Sequence, residues 1–292
     1  MIRLLASVSV AAFLLAACAP ETEVSQDSPI AEEVPAGDDT IEPAMAFDMP
    51  GDFQLSYSQE SDAASVSSEL DPAILAFDPQ LAYSLWKDAK SSVDEMMAQA
   101  AGDQTMATED AAASGDPSWF RPYTMEISSK ATLVLDDLIS IEHFIAQYTG
   151  GAHGNYFMGG GIYRKGEAEP VKLVEMIADE PGFRALVVNG LVEEKIKRGY
   201  EEGERAVIAS ELGDLLVPSA DYPDVFDGHV VLQASEDAGK IGGMVVLFSP
   251  YEVGSFAEGS YEILIPAADL APVLAPGWKD RFGGAPLPLE PN

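Results

Sequence analysis

Apolar residues alternate at Phe53, Leu55 and Tyr57, a spacing that predicts a strand with one buried face. From Pro79 the period lengthens: Leu81, Leu85, Ala89, Val93, Met96 and Met97 recur at steps of three and four, predicting a helix that ends near Ala101 with Pro79 in its first turn. Trp86 and the methionine pair read as core, and residues 102–116 as a loose connection. Strand-like runs at about Tyr123–Val134, Leu138–Tyr148 and Asn155–Tyr163 predict an antiparallel meander. In the middle run Ile139, Ile141, His143 and Ile145 share a face, so His143 reads as a core histidine with a satisfied ring nitrogen rather than a catalytic or metal-binding one. A second helical pattern, through Phe183, Leu186, Val187, Leu191, Val192, Ile196, Val207, Ile208 and Leu212, breaks around Gly199 and Gly203. Strands near Val225–Ala234 and Gly243–Ser249 and a last one at Tyr261–Pro266 complete the pattern.

The N-terminus differs from all of this. Arg3 precedes an apolar run from Leu4 to Leu15, too short to span a bilayer comfortably, and residues 1–17 read as a signal peptide. The run ends in Leu15-Ala16-Ala17-Cys18, which resembles the lipobox of bacterial lipoproteins, where the cysteine thiol accepts a diacylglyceryl group. Cys18 is the chain's single cysteine, so no internal disulfide is available and a core must hold the body together. Acyl chains contribute about 0.8 kcal/mol per buried methylene, enough in pairs to anchor the protein without spanning. Ala19 stands where lipoproteins retained at an inner membrane resemble one another in having Asp, which points to the outer membrane and the periplasm.

Without Arg3 the chain carries 15 Lys and Arg against 49 Asp and Glu, a side-chain charge of 15 − 49 = −34. Such a field repels nucleic acid and anionic lipid, and attracts basic proteins or cations. A solvated acidic surface with no partner is the alternative. Residues 18–50 form a lipidated acidic linker: the composition cannot repay its ordering entropy, and its carboxylates repel one another, so a disordered, extended tether is expected.

The most distinctive segment is Tyr148-Thr149-Gly150-Gly151-Ala152-His153-Gly154-Asn155. Its glycines permit positive φ, so it reads as a tight turn in which Gly151 is the position expected to reject a β-branched residue. His153 could cap the turn, act in recognition, or serve a metal or acid/base site; with no second His or Cys at ligand spacing it makes a poor metal motif.

This segment resembles a hallmark of the paired domains of unknown function found in RsiV and PdaC. A second stretch agrees: Leu247-Phe248-Ser249-Pro250-Tyr251-Glu252-Val253-Gly254-Ser255-Phe256-Ala257-Glu258-Gly259, followed by Tyr261-Glu262-Ile263-Leu264-Ile265-Pro266. Where that family usually has Pro-Tyr, this chain has Ser255-Phe256, so a tyrosine hydroxyl is missing there. Pro170–Met176 partly matches the family's turn after its strand. The resemblance implies an α+β fold with antiparallel sheets packed against helices, a PdaC-like domain at 51–165 and an RsiV-like domain at 166–292. It also implies binding residues: Tyr148, Gly150, Gly151, His153, Gly154, Asn155, Tyr251, Glu252, Phe256 and Gly259.

In that family RsiV is an anti-sigma factor whose outer domain binds lysozyme, and PdaC couples its related domain to a separate deacetylase module. That module's Asp-Asp and His-x-x-x-His pattern is not found here, nor is a membrane helix after a sigma-binding segment. The expectation is a non-enzymatic envelope lipoprotein that binds a basic, lysozyme-like protein or a peptidoglycan fragment, with no cofactor and no metal. The alternative is a cell-envelope hydrolase in which His153 works with a carboxylate.

Overall fold

The computed structural model describes residues 47–219 and 225–289; the segment read as a signal peptide, Cys18 and nearly all of the segment read as an acidic linker lie outside the described residues. Strand β1 (Ser56–Glu60) pairs antiparallel with β2 (Ala64–Leu70), which leads into α1 (Pro72–Phe77) and α2 (Pro79–Ser114). Asp71 caps α1 by accepting from Ala73 N at 2.8 Å, and Asp78 caps α2 by accepting from Gln80 N at 2.9 Å and Leu81 N at 3.2 Å. Of the predicted stripe, Leu81, Val93 and Met96 are buried and Leu85, Ala89 and Met97 half-buried, and Trp86 is in the core as expected.

The helix does not stop near Ala101. It runs on through the segment expected to be a loose connection, and ends where Gly115 turns left-handed at φ +81°. An alanine-rich composition carries it past Gly102, and the Thr105 and Thr108 hydroxyls are accommodated by donating to carbonyls one turn back, at 2.8 Å each. Tertiary bonds then fix the extension: Tyr123 donates its hydroxyl to Asp103 at 2.7 Å, and Ala107 is fully buried.

After α2 come β3 (Tyr123–Val134), β4 (Leu138–Tyr148) and β5 (Asn155–Arg164), which form the expected antiparallel meander. β2, which the pattern did not reveal, joins this meander parallel to β3, so the five-stranded sheet has the order β1-β2-β3-β4-β5. α2 covers one face, where Val93, Met96 and Ala100 meet Ala64, Val66, Tyr123 and Ile127. His143 is largely covered, and its Nδ1 lies 2.9 Å from Ser129 Oγ. Burial pushes its pKa down to about 4, so the ring is neutral in the fold.

The second half holds α3 (Leu173–Met176), α4 (Glu180–Lys197) and α5 (Arg205–Leu215), then β6 (Val230–Ala234), β7 (Ile241–Phe248) and β8 (Tyr261–Pro266) in a three-stranded antiparallel sheet. The break between α4 and α5 falls at Gly199, with φ +108°. Val207, counted in the apolar pattern, is exposed, whereas Ile208 and Leu212 are buried. The strand expected from Val225 begins only at Val230, because residues 225–228 turn and Gly228 takes φ +77°.

Every residue of β7 is buried. On one side Met244, Val246 and Phe248 join the main core with Phe183, Val187 and Leu191 of α4. On the other, Val245 and Leu247 pack with Met158 of β5, against Phe144 and Tyr156. Here the two sheets approach closely: a Cβ on Gly160 would lie 2.4 Å from Val231 Cγ1 and 2.7 Å from Val230 O. Ser140 Oγ accepts from Leu232 N at 2.8 Å and Ser249 Oγ from Met158 N at 3.0 Å, so buried backbone groups are paired across the contact. Chain and core give the expected α+β fold of sheets packed against helices, antiparallel at every strand pair except β2 with β3.

Candidate recognition site

The β4–β5 connection begins with Gly150 at φ +86°, where an added Cβ would also come within 3.6 Å of the Tyr123 ring. Gly151 is not left-handed and meets nothing closer than 3.8 Å, so the strain expected at Gly151 belongs to Gly150 instead. Gly154 is constrained differently: a Cβ would sit 3.1 Å from Gln147 O.

This turn presents His153 at the surface. Its Nδ1 lies 2.7 Å from Gly154 O, and its ring stacks on Phe256, with centroids 4.0 Å apart and planes 23° from parallel. Phe256 in turn lies 5.5 Å from the Tyr251 ring. The two motifs, about a hundred residues apart, therefore meet in a row of three rings. Tyr251 is 59 % exposed and holds φ +76°, the only non-glycine residue in that region among the described residues. A bulky side chain held there costs about 1–3 kcal/mol, strain that the surrounding structure must impose.

The turn around it is closed by Glu252 N donating to Ser249 O at 3.3 Å and Ser249 N to Glu252 Oε2 at 2.6 Å, and a charged cluster fixes the following segment that carries Phe256. Lys195, buried on α4, donates to Glu258 Oε2 at 2.6 Å and to Tyr261 OH at 3.2 Å. Tyr261 OH donates to the same Glu258 oxygen at 2.6 Å, and Ser255 N donates to Oε1 at 2.7 Å. Burial works to raise the Glu258 pKa, but Lys195, Tyr261 and Ser255 outweigh it and hold the carboxyl well below its ordinary range. Arg198 adds bonds to Glu258 O at 2.7 Å and Ser260 O at 2.9 Å while lying 3.8 Å over the Tyr261 ring. Gly259 turns the chain at φ +73°, and Ser260 N then donates to Tyr156 OH of β5 at 3.0 Å.

Not every residue expected at the site joins the row. Glu252 faces inward, accepting from Ser249 N at 2.6 Å and lying 3.8 Å from His229 Nδ1. Burial raises its pKa, against the opposing pull of His229 and Ser249. Tyr148, Gly154 and Asn155 instead line an adjoining groove of about 450 Å³ on the sheet, with Phe144 and Tyr156. Lys195 and Arg198 were not foreseen, although a lysine inside the apolar stripe between Val192 and Ile196 is the signal that marks one of them.

The hydrolase alternative asks His153 to meet a carboxylate. Its Nδ1 instead faces the carbonyl of Gly154, and Phe256 covers one face of the ring. Ser249 Oγ, near the His229 and Glu252 pair, is taken up by Met158 N and O. Among the described residues no group of three or more His, Cys, Asp or Glu is placed to hold a metal ion.

Residues 57–156 match the family model described as deacetylase PdaC, a span that runs from β1 into β5 and includes the Tyr148–Asn155 motif. A solved structure of a DUF3298 family member from Bacteroides fragilis is similar over 77% of this chain and 93% of its own, with 17% identity and a TM-score of 0.51. That likeness shows a shared fold. A DUF3298 family protein from Pseudomonas aeruginosa aligns over 78% of this chain and 94% of its own at 16% identity, with a TM-score of 0.42. No curated protein matches the chain. The resemblance read from the motifs is thus supported by the PdaC-type match over residues 57–156 and by a fold shared with a DUF3298 family member over 77% of the chain.

Proposed function

We propose that this chain is a lipid-anchored, non-enzymatic binding module of the cell envelope, whose paired loops recognise a basic protein of the lysozyme type. The observation that carries the reading is the stack of His153 on Phe256, which joins two distant motifs into one exposed surface ending in the strained Tyr251. Exposed aromatic rings held rigid by a buried ion pair lose little entropy on binding, as protein-recognition surfaces require. The charge of the chain favours rapid capture of a cationic partner. Cys18 supplies the anchor, in an outer membrane and facing the periplasm, and the acidic linker supplies reach.

Charge alone is not recognition, since any polyanion attracts lysozyme at low salt. The test is titration calorimetry on the mature chain carrying Cys18→Ser, at about 0.15 M salt, where surface attraction is screened beyond roughly 8 Å. Lysozyme should bind, a basic control protein of similar size should not, and Tyr251→Ala should weaken the complex about tenfold. Equal affinity for both proteins, vanishing at that salt, would leave only nonspecific electrostatics. Binding of a peptidoglycan fragment in place of lysozyme would reassign the ligand.

A further inference from the structure

The five-stranded sheet is wider than the three-stranded sheet packed on its second face. Contact between them reaches Met158, Phe144 and Tyr156, and beyond that line the face lies open as the groove of about 450 Å³. Strand register lays out its floor. Ser67, Glu126, Ala146 and Tyr156 stand directly opposite one another across β2, β3, β4 and β5, and Thr124 stands opposite Tyr148 in the neighbouring row. Since neighbouring strands lie roughly 4.8 Å apart, the small Ala146 leaves a gap of about 10 Å between the Glu126 and Tyr156 backbones. The Phe144 and Tyr156 rings, 5.8 Å apart, form one wall.

Two properties of this groove agree on the ligand. Glu126 is the only charged residue lining it, is exposed, and has no side-chain partner among the described residues. The walls are aromatic, and their faces attract cations. A carboxylate beside aromatic faces suits a group that donates hydrogen bonds and carries positive charge, which describes a guanidinium or an ammonium. Tyr156 also accepts from Ser260 N, so the groove and the ring platform share a wall.

We infer that this groove receives an arginine or lysine side chain of the basic protein that the platform recognises. The inference rests on the proposed function, and extends it by naming the part of the partner that enters and the carboxylate that meets it. The side chain inserts between Glu126 and the Phe144–Tyr156 wall while the partner's surface lies over His153, Phe256 and Tyr251.

A probe independent of any protein partner separates the two readings. Amide shifts of the mature Cys18→Ser chain are followed during titration with acetyl-Gly-Arg-Gly-amide, with its neutral citrulline analogue, and with chitotetraose. The expected result is saturable shifts centred on Glu126, Ala146 and Tyr156 for the arginine peptide, none for the citrulline peptide, and about tenfold weaker binding in Glu126→Gln. No saturable response, an equal response to citrulline, or indifference to Glu126→Gln overturns the inference, whatever lysozyme does. Shifts in the groove from chitotetraose alone also overturn it and assign the groove to glycan. Arginine binding without lysozyme binding leaves the groove standing and removes the reading of the partner.

Discussion

Replacing Lys195 by methionine removes the cation from the cluster that fixes the recognition loop while preserving most of the side chain's volume. Lys195 is 5% exposed, and its partner Glu258 keeps a side-chain exposure of 18%. Breaking one half of a buried pair costs about 3–5 kcal/mol, because the remaining charge stays desolvated. Glu258 retains the Tyr261 hydroxyl and the Ser255 amide as donors, which places the cost at the lower end, about 3 kcal/mol. For a body of this size each kcal/mol moves the melting temperature by about 2–4 °C, so Lys195→Met should lower Tm by roughly 6–12 °C at pH 7. The penalty depends on pH in a defined sense. The Glu258 pKa is depressed in the fold, so its stabilising contribution is present above the ordinary carboxylate value of 4.5 and is lost as pH falls below it. In the variant the carboxyl protonates more readily, so the gap between wild type and variant should narrow towards pH 4. Adding Glu258→Gln should restore part of the loss at pH 7, since no unpaired charge then remains. Scanning calorimetry at pH 7, 5.5 and 4 reads all of this. A Tm change under about 2 °C at pH 7, or a gap that does not vary with pH, would refute the reasoning.

Gly150→Val should destabilise the body by about 1–3 kcal/mol, because φ +86° is hostile to a β-branched residue, while Gly151→Val should stay within about 0.5 kcal/mol; equal urea midpoints for the two variants would remove the left-handed turn. His143, whose pKa falls from 6.5 to about 4 in the fold, contributes stability that is complete above pH 6.5 and is lost as pH drops towards 4. By pH 5 about 2 kcal/mol of that contribution should be gone, and His143→Gln should flatten the wild-type pH profile of the urea midpoint; an unchanged slope would show that His143 is not the titrating group. Cys18→Ser should leave the body folded and release it from membranes, and a variant that still pelleted with them would dismiss the lipid anchor.

Local periodicity made much of the fold legible. The stripes on α2 and α4 lie on single helices, so a 3.6-residue period reports their buried faces directly. β4 is packed on both faces, Ile139 and Ile141 against Ile74, Phe77 and Leu81 and Phe144 against Met158, Val245 and Leu247, so its alternation reports a strand but not one buried side. β2 escaped for a chemical reason: its buried positions include Ala64 and Ser68, small residues that bury little and carry no apolar signal. The last turns of α2 escaped because they are held by bonds to residues outside the helix, with Asp103 accepting from Tyr123 and Gln104 donating to Asp62 O.

The site divides along the same line. Each loop could be read as a motif, yet nothing within either motif specifies that they meet. Their meeting is arranged from outside both: Gly160 lets the two sheets approach, Tyr156 accepts from Ser260, Lys195 of α4 holds the Glu258 carboxylate, and Arg198 at the end of that helix grips the Glu258 and Ser260 carbonyls. A charged residue in the buried stripe of a helix is expensive unless it is paired. Lys195 in α4 is therefore best explained by the loop it holds: its cost is offset by Glu258 and Tyr261, and what the pair secures is the placement of Phe256 against His153.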